Sequence, residues 1–271
     1  MTVLPWATEP GYGADGTSYQ IDQRIRAVVQ EGLSVYRVDA DVLRDAAPDL
    51  IITQEQCRVC AVSTDELAEA VAEILGVEGG PAILSLDPGD LDRALADMVR
   101  IGGALGLPDE GAGLVAGMRD GLARVTRDVG EVTPVRVLLL EWMDPLMVAG
   151  NWMPELVEVA GGEVVLGRAG EHSPFVAWED LRNTEPDVVV IIPCGFSVER
   201  TLEEVHLLEA LPGWSRLQDG RVAVADGHHF FNRPGPRLVD SARILAEIFH
   251  ESVDYGYQAR GAWRWMSEAG E

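Results

Sequence analysis

The chain has 271 residues, 47% of them hydrophobic, and a formal net charge of -24. That is enough apolar material for one large core or two moderate ones. So acidic a surface repels phosphate backbones and anionic lipids, and no apolar run reaches the roughly 18 residues of a membrane helix. The composition therefore speaks against nucleic-acid binding, peripheral membrane binding and a transmembrane span. All 21 basic residues are arginine. Two readings of the missing lysine stand side by side: a GC-rich genome, or a salt-adapted protein kept soluble by excess carboxylates. Three cysteines, an odd number, argue against a disulfide framework.

Residues 1 to 20, with Glu9-Pro10-Gly11-Tyr12-Gly13, read as a loop. Met1-Thr2-Val3-Leu4-Pro5-Trp6 has neither a basic n-region nor an apolar h-region, so as written the chain reads as cytoplasmic. Ser18 caps a predicted helix with Ile21, Ile25, Val28 and Val29 on one face, ended by Gly32. Leu33 to Val38 alternates as a short strand, and Asp39 opens the next helix.

A stretch then occurs that is found twice. Leu43-Arg44-Asp45-Ala46-Ala47-Pro48-Asp49-Leu50-Ile51-Ile52 is echoed by Leu181-Arg182-Asn183-Thr184-Glu185-Pro186-Asp187-Val188-Val189-Val190. In each copy Leu-Arg closes a helix and the residue before Pro is pushed out of the helical region. Pro-Asp then turns the chain into a strand. Leu50 to Ile52 and Val188 to Ile192 are continuous apolar β-formers without alternation, the pattern of parallel strands covered on both faces. The echo predicts two α/β lobes of similar build.

After the first of these strands comes Gln54-Glu55-Gln56-Cys57-Arg58-Val59-Cys60, a polar loop at a carboxyl strand end, where open parallel sheets bind ligands. Cys57-x-x-Cys60 is consistent with a redox pair, half of a metal site completed by Cys194 and His228 or His229, or inert thiols. Ser63 to Asp65 caps a helix reaching Leu75, and Ile83 to Leu86 is a strand. Asp90 to Val129 is helical, interrupted at Gly106-Leu107-Pro108, and its second part is the expected link between the lobes.

The second lobe opens on the strand Val135 to Glu141, followed by a loop bearing Trp142, Met147 and Trp152 and a helix ended by Gly161-Gly162. The second repeat delivers Pro193-Cys194-Gly195-Phe196. A strand at Val222 to Val224 runs into Asp226-Gly227-His228-His229-Phe230-Phe231-Asn232-Arg233. Leu238 to His250 is an amphipathic helix, and the tail with Trp263 and Trp265 is docked or frayed. If the lobes face one another, loops 54 to 60, 142 to 152 with 193 to 196, and 228 to 233 line one cleft. Its aromatics (Trp142, Trp152, Phe196, Phe230), Met147, thiols and histidines suit a large, flat, partly apolar ligand. The His pair reads as a hydrogen-bonding element of that cleft. No nucleophile is paired with a base, and no phosphate-loop, nucleophile-elbow or dinucleotide fingerprint is present.

At these loops the sequence resembles the substrate-binding proteins of ATP-driven importers for cobalamin and iron-siderophores, most closely the cobalamin-binding branch. The stretches that carry the resemblance are Leu43 to Ser63, Glu141-Trp142-Met143-Asp144-Pro145 through Gly161-Gly162, Trp178 to Gly195, and Gly220 to Leu245 with Arg233-x-x-Pro236-Arg237. It implies an α/β fold of the class III substrate-binding type, with parallel-type sheets in two lobes joined by a long helix. On that plan an N-terminal lobe spans 1–106, the linking helix 107–130, the C-terminal lobe 134–250 and a tail 251–271. The resemblance implies a non-catalytic protein that needs no cofactor, binds cobalamin or a related corrinoid or metal chelate, and presents it to an ABC permease. Family ligand contacts fall on Met147, Phe196, His229 and Phe230, with Gln54, Glu55, Trp142, Trp152 and Arg233 around them. Met147 and His229 stand where the family has aromatic and acidic residues. The family's opening strand, turn and helix are missing, so the first lobe is expected to be shortened. A start further upstream would place the protein in the periplasm. The uncovered sheet is expected to self-associate, to be covered by the Trp6 loop or the Trp263 tail, or to weaken binding. The alternatives are a cytosolic metal- or corrinoid-handling protein using Cys57, Cys60 and Cys194, and an enzyme with an unrecognised site.

The two readings of the missing lysines differ in their response to salt. The Debye length falls from about 10 Å at 0.1 M to about 3 Å at 1 M, so a salt-adapted surface should show a higher melting temperature in molar KCl. A flat response in a thermal scan would favour codon bias.

Overall fold

The computed structural model describes residues 5–30, 36–54, 71, 81–218 and 221–268. The α/β chain divides into two compact units, Met1–Asp87 with Arg100–Pro108, and Pro88–Val99 with Asp109–Glu271. Glu55, Cys57 and Cys60, the start of the strand expected at Leu33, and nearly all of the helix expected over Ser63 to Leu75 lie outside the described residues.

In the first unit the expected N-terminal loop contains a strand. β1 (Thr8–Pro10) pairs antiparallel with β2 (Tyr36–Val38), Thr8 opposite Val38. Pro10, which has no N–H to give to a ladder, sits at an edge that tolerates it. The helix Ser18–Gln30 buries Ile21. The helix Ala40–Ala46 starts as its sequence dictates, with the Asp39 carboxylate accepting from the N–H groups of Asp41 and Val42, both at 3.0 Å. It ends at Ala47, left-handed at φ 40, directly before Pro48. β3 (Leu50–Gln54) then pairs parallel with β4 (Ala82–Leu86). Here the expectation of a fully buried strand fails: β3 is half-buried and Ile52 is 44% exposed. Its described ladder is with β4 alone, and a two-stranded pair cannot enclose both of its faces.

The second unit holds one six-stranded mixed sheet. β5 (Val135–Met143), β8 (Val188–Ile191) and β9 (Arg221–Ala225) run parallel at its centre. β6 (Leu146–Val148) and β7 (Gly162–Val164) share the outer side of β5, β6 antiparallel and β7 parallel. β10 (Trp263–Trp265) closes the other edge antiparallel to β9. The parallel expectation therefore holds for the centre and for β7, and not for β6 and β10. The tail is a docked strand of this sheet.

The apolar runs explain the layering. Val137, Leu139, Val188, Val190, Ala223 and Ala225 share one core cluster with Leu95 and Met98 of the helix Leu91–Ala104. Val115, Leu122 and Val125 of the helix Pro108–Val129 and Leu245 and Ile248 of the helix Leu238–Phe249 join it. The alternate residues Leu138, Leu140, Val189, Ile191 and Val224 are fully buried too. The short helices Val198–Leu202, Val205–Glu209 and Ser215–Gln218 lie against this part of the sheet. Covering both faces is what lets β8 do without a polar residue.

Trp152 is corrected from ligand wall to core. It is 4% exposed at the start of the helix Met153–Val159, and its indole N–H donates to the Phe231 carbonyl at 3.2 Å. A Trp in a strand-end loop can supply a binding face or be swallowed by the core, and the packing of that helix on Leu238–Phe249 decides for the core. Trp152→Ala should accordingly cost about 3–5 kcal/mol in chemical denaturation. A change within about 0.5 kcal/mol, typical of surface substitutions, would return the residue to the surface.

Candidate functional site

The site is built where β5, β8 and β9 end. All three are parallel, so their carboxyl ends lie along one edge of the sheet, the end at which such sheets carry ligands. β5 does not stop before Trp142, as the expected loop requires. It runs to Met143 and returns as β6, with Trp142 opposite Met147. The turn Asp144-Pro145 between two apolar β-forming runs was the signal for this hairpin.

Backbone hydrogen bonds stitch the three ends together. The N–H of Cys194 donates to Glu141 O at 3.3 Å and that of His228 to Phe196 O at 3.0 Å. The Asn232 side-chain amide donates to Ile192 O at 3.1 Å. Trp142 and Phe196 meet with ring centroids 5.2 Å apart, and the Arg200 guanidinium lies 4.4 Å from the Phe196 ring. Both aromatics are buried, each 6% exposed, and the Trp142 indole N–H is taken by Asp144 O at 3.1 Å.

The sequence Gly227–Phe231 forms a π-helical turn. Such one-turn widenings collect at functional sites. Gly227 has a steric reason to be glycine, because a Cβ there would meet Pro193 O at 2.2 Å and Ile192 O at 2.8 Å. Asp226 caps the turn twice, accepting from the His229 backbone N–H at 2.7 Å and standing 2.7 Å from His229 Nδ1. A carboxylate can only accept, so Nδ1 carries a proton, and in the neutral ring the lone pair is on Nε2. The His229 side chain is 53% exposed. His228 packs against it edge-on at 4.6 Å. Partial burial, aided by the charges of Arg233 and His229, holds His228 below the ordinary histidine value, so it is neutral at physiological pH. Arg233 Nε donates to His228 O at 2.9 Å, and the Arg237 guanidinium lies 5.9 Å from the Phe230 ring.

A fourth segment, 171 to 176, was not singled out from sequence. The N–H of Asn151 donates to Glu171 O and that of Val148 to Pro174 O, and Phe175 forms a bridge to Met147. The segment thereby lies along β6 and presents Phe175, 53% exposed, beside Met147. Beneath it the Ser173 hydroxyl accepts from Gly150 N–H at 3.0 Å and donates to Glu141 Oε2 at 2.7 Å. Burial pushes the Glu141 carboxyl above the usual carboxylate range, with Ser173 and His172 pulling it back in part. An aromatic in a Ser-Pro loop, His172-Ser173-Pro174-Phe175, could have been found by the reasoning that marked Phe196 and Phe230.

Glu55, Cys57 and Cys60 lie outside the described residues. Gln54 is exposed at the end of β3 in the first unit, and Cys194 is exposed between β8 and Phe196. Among the described residues no group of His, Cys, Asp or Glu is placed to hold a metal ion by itself. No helix among them is long and apolar enough to cross a membrane.

The model of the periplasmic binding protein family matches residues 7–227. No curated protein sequence matches the chain significantly. Among solved structures it is similar to a periplasmic heme-binding protein from Pseudomonas aeruginosa, 22% identical with TM-score 0.62 over 80% of this chain and 77% of that one. The periplasmic vitamin B12-binding protein of Vibrio cholerae is 18% identical, TM-score 0.58, over 80% and 79% of the two chains. An ABC transporter substrate-binding protein from Listeria monocytogenes is 16% identical, TM-score 0.64, over 79% and 81%. These likenesses concern the fold. None of them supports a cytosolic metal-handling protein built on Cys57, Cys60 and Cys194.

The Glu141 carboxyl gives a stability test whose sign is determined. Its folded value is raised, so its contribution is intact below the unfolded value and is lost as pH rises through the folded one. Glu141→Gln should therefore gain on the wild type as pH goes from about 4 to about 7.5, measured as denaturation midpoints. A difference that does not vary with pH would mean that the carboxyl titrates alike in both states.

Proposed function

Because the chain belongs to the periplasmic binding protein family, we propose that its cargo is a metal chelate of the tetrapyrrole class, a heme or a corrinoid, coordinated through His229. The family binds small solutes without transforming them and hands them to ABC permeases, which is the role of this protein in outline. It is a family of extracytoplasmic proteins, which does not support the cytoplasmic reading of the sequence as written.

One observation carries the choice of cargo: His229, exposed, with Nδ1 held by the Asp226 carboxylate at 2.7 Å. A carboxylate behind an imidazole fixes the tautomer and raises the basicity of the other nitrogen, the usual support of a histidine that ligates a metal. The neighbouring groups suit the rest of such a ligand. Phe230 and the exposed Phe175 offer aromatic faces to a flat ring system. Arg233 and Arg237 beside them suit acidic groups at its rim, the carboxylates of a heme or the phosphodiester of cobalamin. Among similar structures one is described as binding heme and another as binding vitamin B12.

Titration with hemin and with aquocobalamin, followed by gel filtration, tests the proposal. One of the two should bind with a shifted absorbance that stays with the protein. His229→Ala should abolish the shift, and Asp226→Asn should weaken binding by about 10–100-fold, as loss of such a supporting carboxylate does. Binding of neither chelate, or a spectrum unchanged in His229→Ala, would overturn it.

A further inference from the structure

The turn that carries His229 and Phe230 is contacted by the tail, a segment that lies some thirty residues later and has no part in the strand-end loops. Besides the pairing of β10 with β9, one buried carboxylate gathers the tail. Glu247, 6% exposed in the helix Leu238–Phe249, accepts from the backbone N–H groups of Tyr255 at 2.5 Å, Tyr257 at 3.0 and 3.2 Å and Gln258 at 3.1 Å. It also accepts from the Trp263 indole N–H at 2.8 Å. A buried carboxylate with this many donors is costly to disturb, because each donor left unpaired loses its solvation without replacement.

Two tyrosine hydroxyls add to the anchorage. Tyr255 donates to Asp128 Oδ2 at 2.8 Å and Tyr257 to Asp240 Oδ1 at 2.5 Å. Burial and the facing carboxylate push the Tyr255 phenol up to about 12 and raise that of Tyr257, so both hydroxyls remain donors across the physiological range. From this anchorage the tail reaches the turn at both of its ends. Ala262 O accepts the backbone N–H of Asp226 at 2.9 Å, and the Tyr257 ring meets the Phe230 ring edge-on with centroids 6.0 Å apart.

We infer that the tail is a positioning strap for the binding turn, in which Glu247 fixes Tyr257 and Ala262, and these in turn fix Phe230 and the Asp226 carboxylate that orients His229. Glu247 and Tyr257 are thus positioning residues, remote from the ligand and acting through the turn. The strap itself is read from contacts alone. Its consequence for cargo rests on the function proposed above.

The test compares Tyr257→Leu, which keeps an apolar side chain and removes the ring edge and hydroxyl, Glu247→Gln, and Val125→Ala. The last is a control destabilised in the core on the helix Pro108–Val129, a segment that carries neither the turn nor the tail. Amide hydrogen exchange over residues 226–231 and the ring-nitrogen NMR signals of His229 are recorded without ligand, at a temperature where all variants are folded. Both strap variants should exchange faster in this turn by about tenfold and shift the His229 signals, while Val125→Ala changes neither. Hemin or aquocobalamin, whichever the wild type binds, should be held about tenfold more weakly by the strap variants and equally well by Val125→Ala. Unchanged exchange and His229 signals in both strap variants would overturn the inference. So would exchange raised to the same degree in Val125→Ala, which would make the effect one of global stability. If the wild type bound neither chelate, the proposed cargo would fail, and the ligand-free measurements would still decide the strap.

Discussion

The parallel pairing of β8 with β5 on one side and β9 on the other is the constraint from which the site follows. β8 is wholly apolar and wholly buried, so it needs partners on both edges and layers on both faces. Once Val188 is set opposite Val137 and Arg221, Leu140, Ile191 and Val224 come level, so that β8 and β9 end together and β5 runs on to Met143 along the same edge of the sheet. No loop chooses this neighbourhood for itself. The register of an apolar strand, which cannot slip without exposing its side chains or leaving peptide groups unpaired, brings Trp142, Phe196 and the histidine turn together.

Around that frame three carboxylates have partners that explain their place. Asp226 stands at the end of β9 and serves the turn in two ways, as a cap for its backbone and as the orienting group of its imidazole. Glu141 stands at the end of β5 and is tied through Ser173 to the segment along β6. Glu247 stands on a helix and gathers the tail. In a protein of net charge -24 most carboxylates are solvated and mutually repelling, whereas these three are partly or fully withdrawn from water and hydrogen-bonded to fixed donors.

The edges of the second sheet show how the same chain segments finish the fold and frame the site. β6 and β7 share one edge, and β10 occupies the other, where Trp263 and Trp265 pack edge-on at 5.2 Å and Arg221 stacks over Trp265. Edge strands of only three residues leave few backbone groups for further strand addition. The backbone of β10 also continues into the contact with Asp226, so that protection of the edge and support of the binding turn are one arrangement.

What the sequence by itself determined is local or repetitive in origin. The helix–Pro–Asp–strand unit is found in both copies because a cap, a proline and a run of β-formers act within a few residues of one another. Asp39 caps its helix, Ala47 leaves it before Pro48, and Leu181 precedes the same turn into β8. The family, the α/β class and the three strand-end loops of the second unit were legible for that reason. Tertiary structure alone decided what depends on partners distant in the chain. Trp152 and Phe230 look alike in sequence, each an aromatic near a strand end. Trp152 is buried because Phe231 O and the helix Leu238–Phe249 close over it, whereas Phe230 stays half-exposed. The tail has weak periodicity because its order comes from Glu247 and the edge of β9 and not from a repeat of its own. Phe175 gained its place only through the pairing of its segment with β6. Propensity acts over a turn or a strand, while burial and long-range hydrogen bonds are assigned by whichever surfaces the packed sheet brings together.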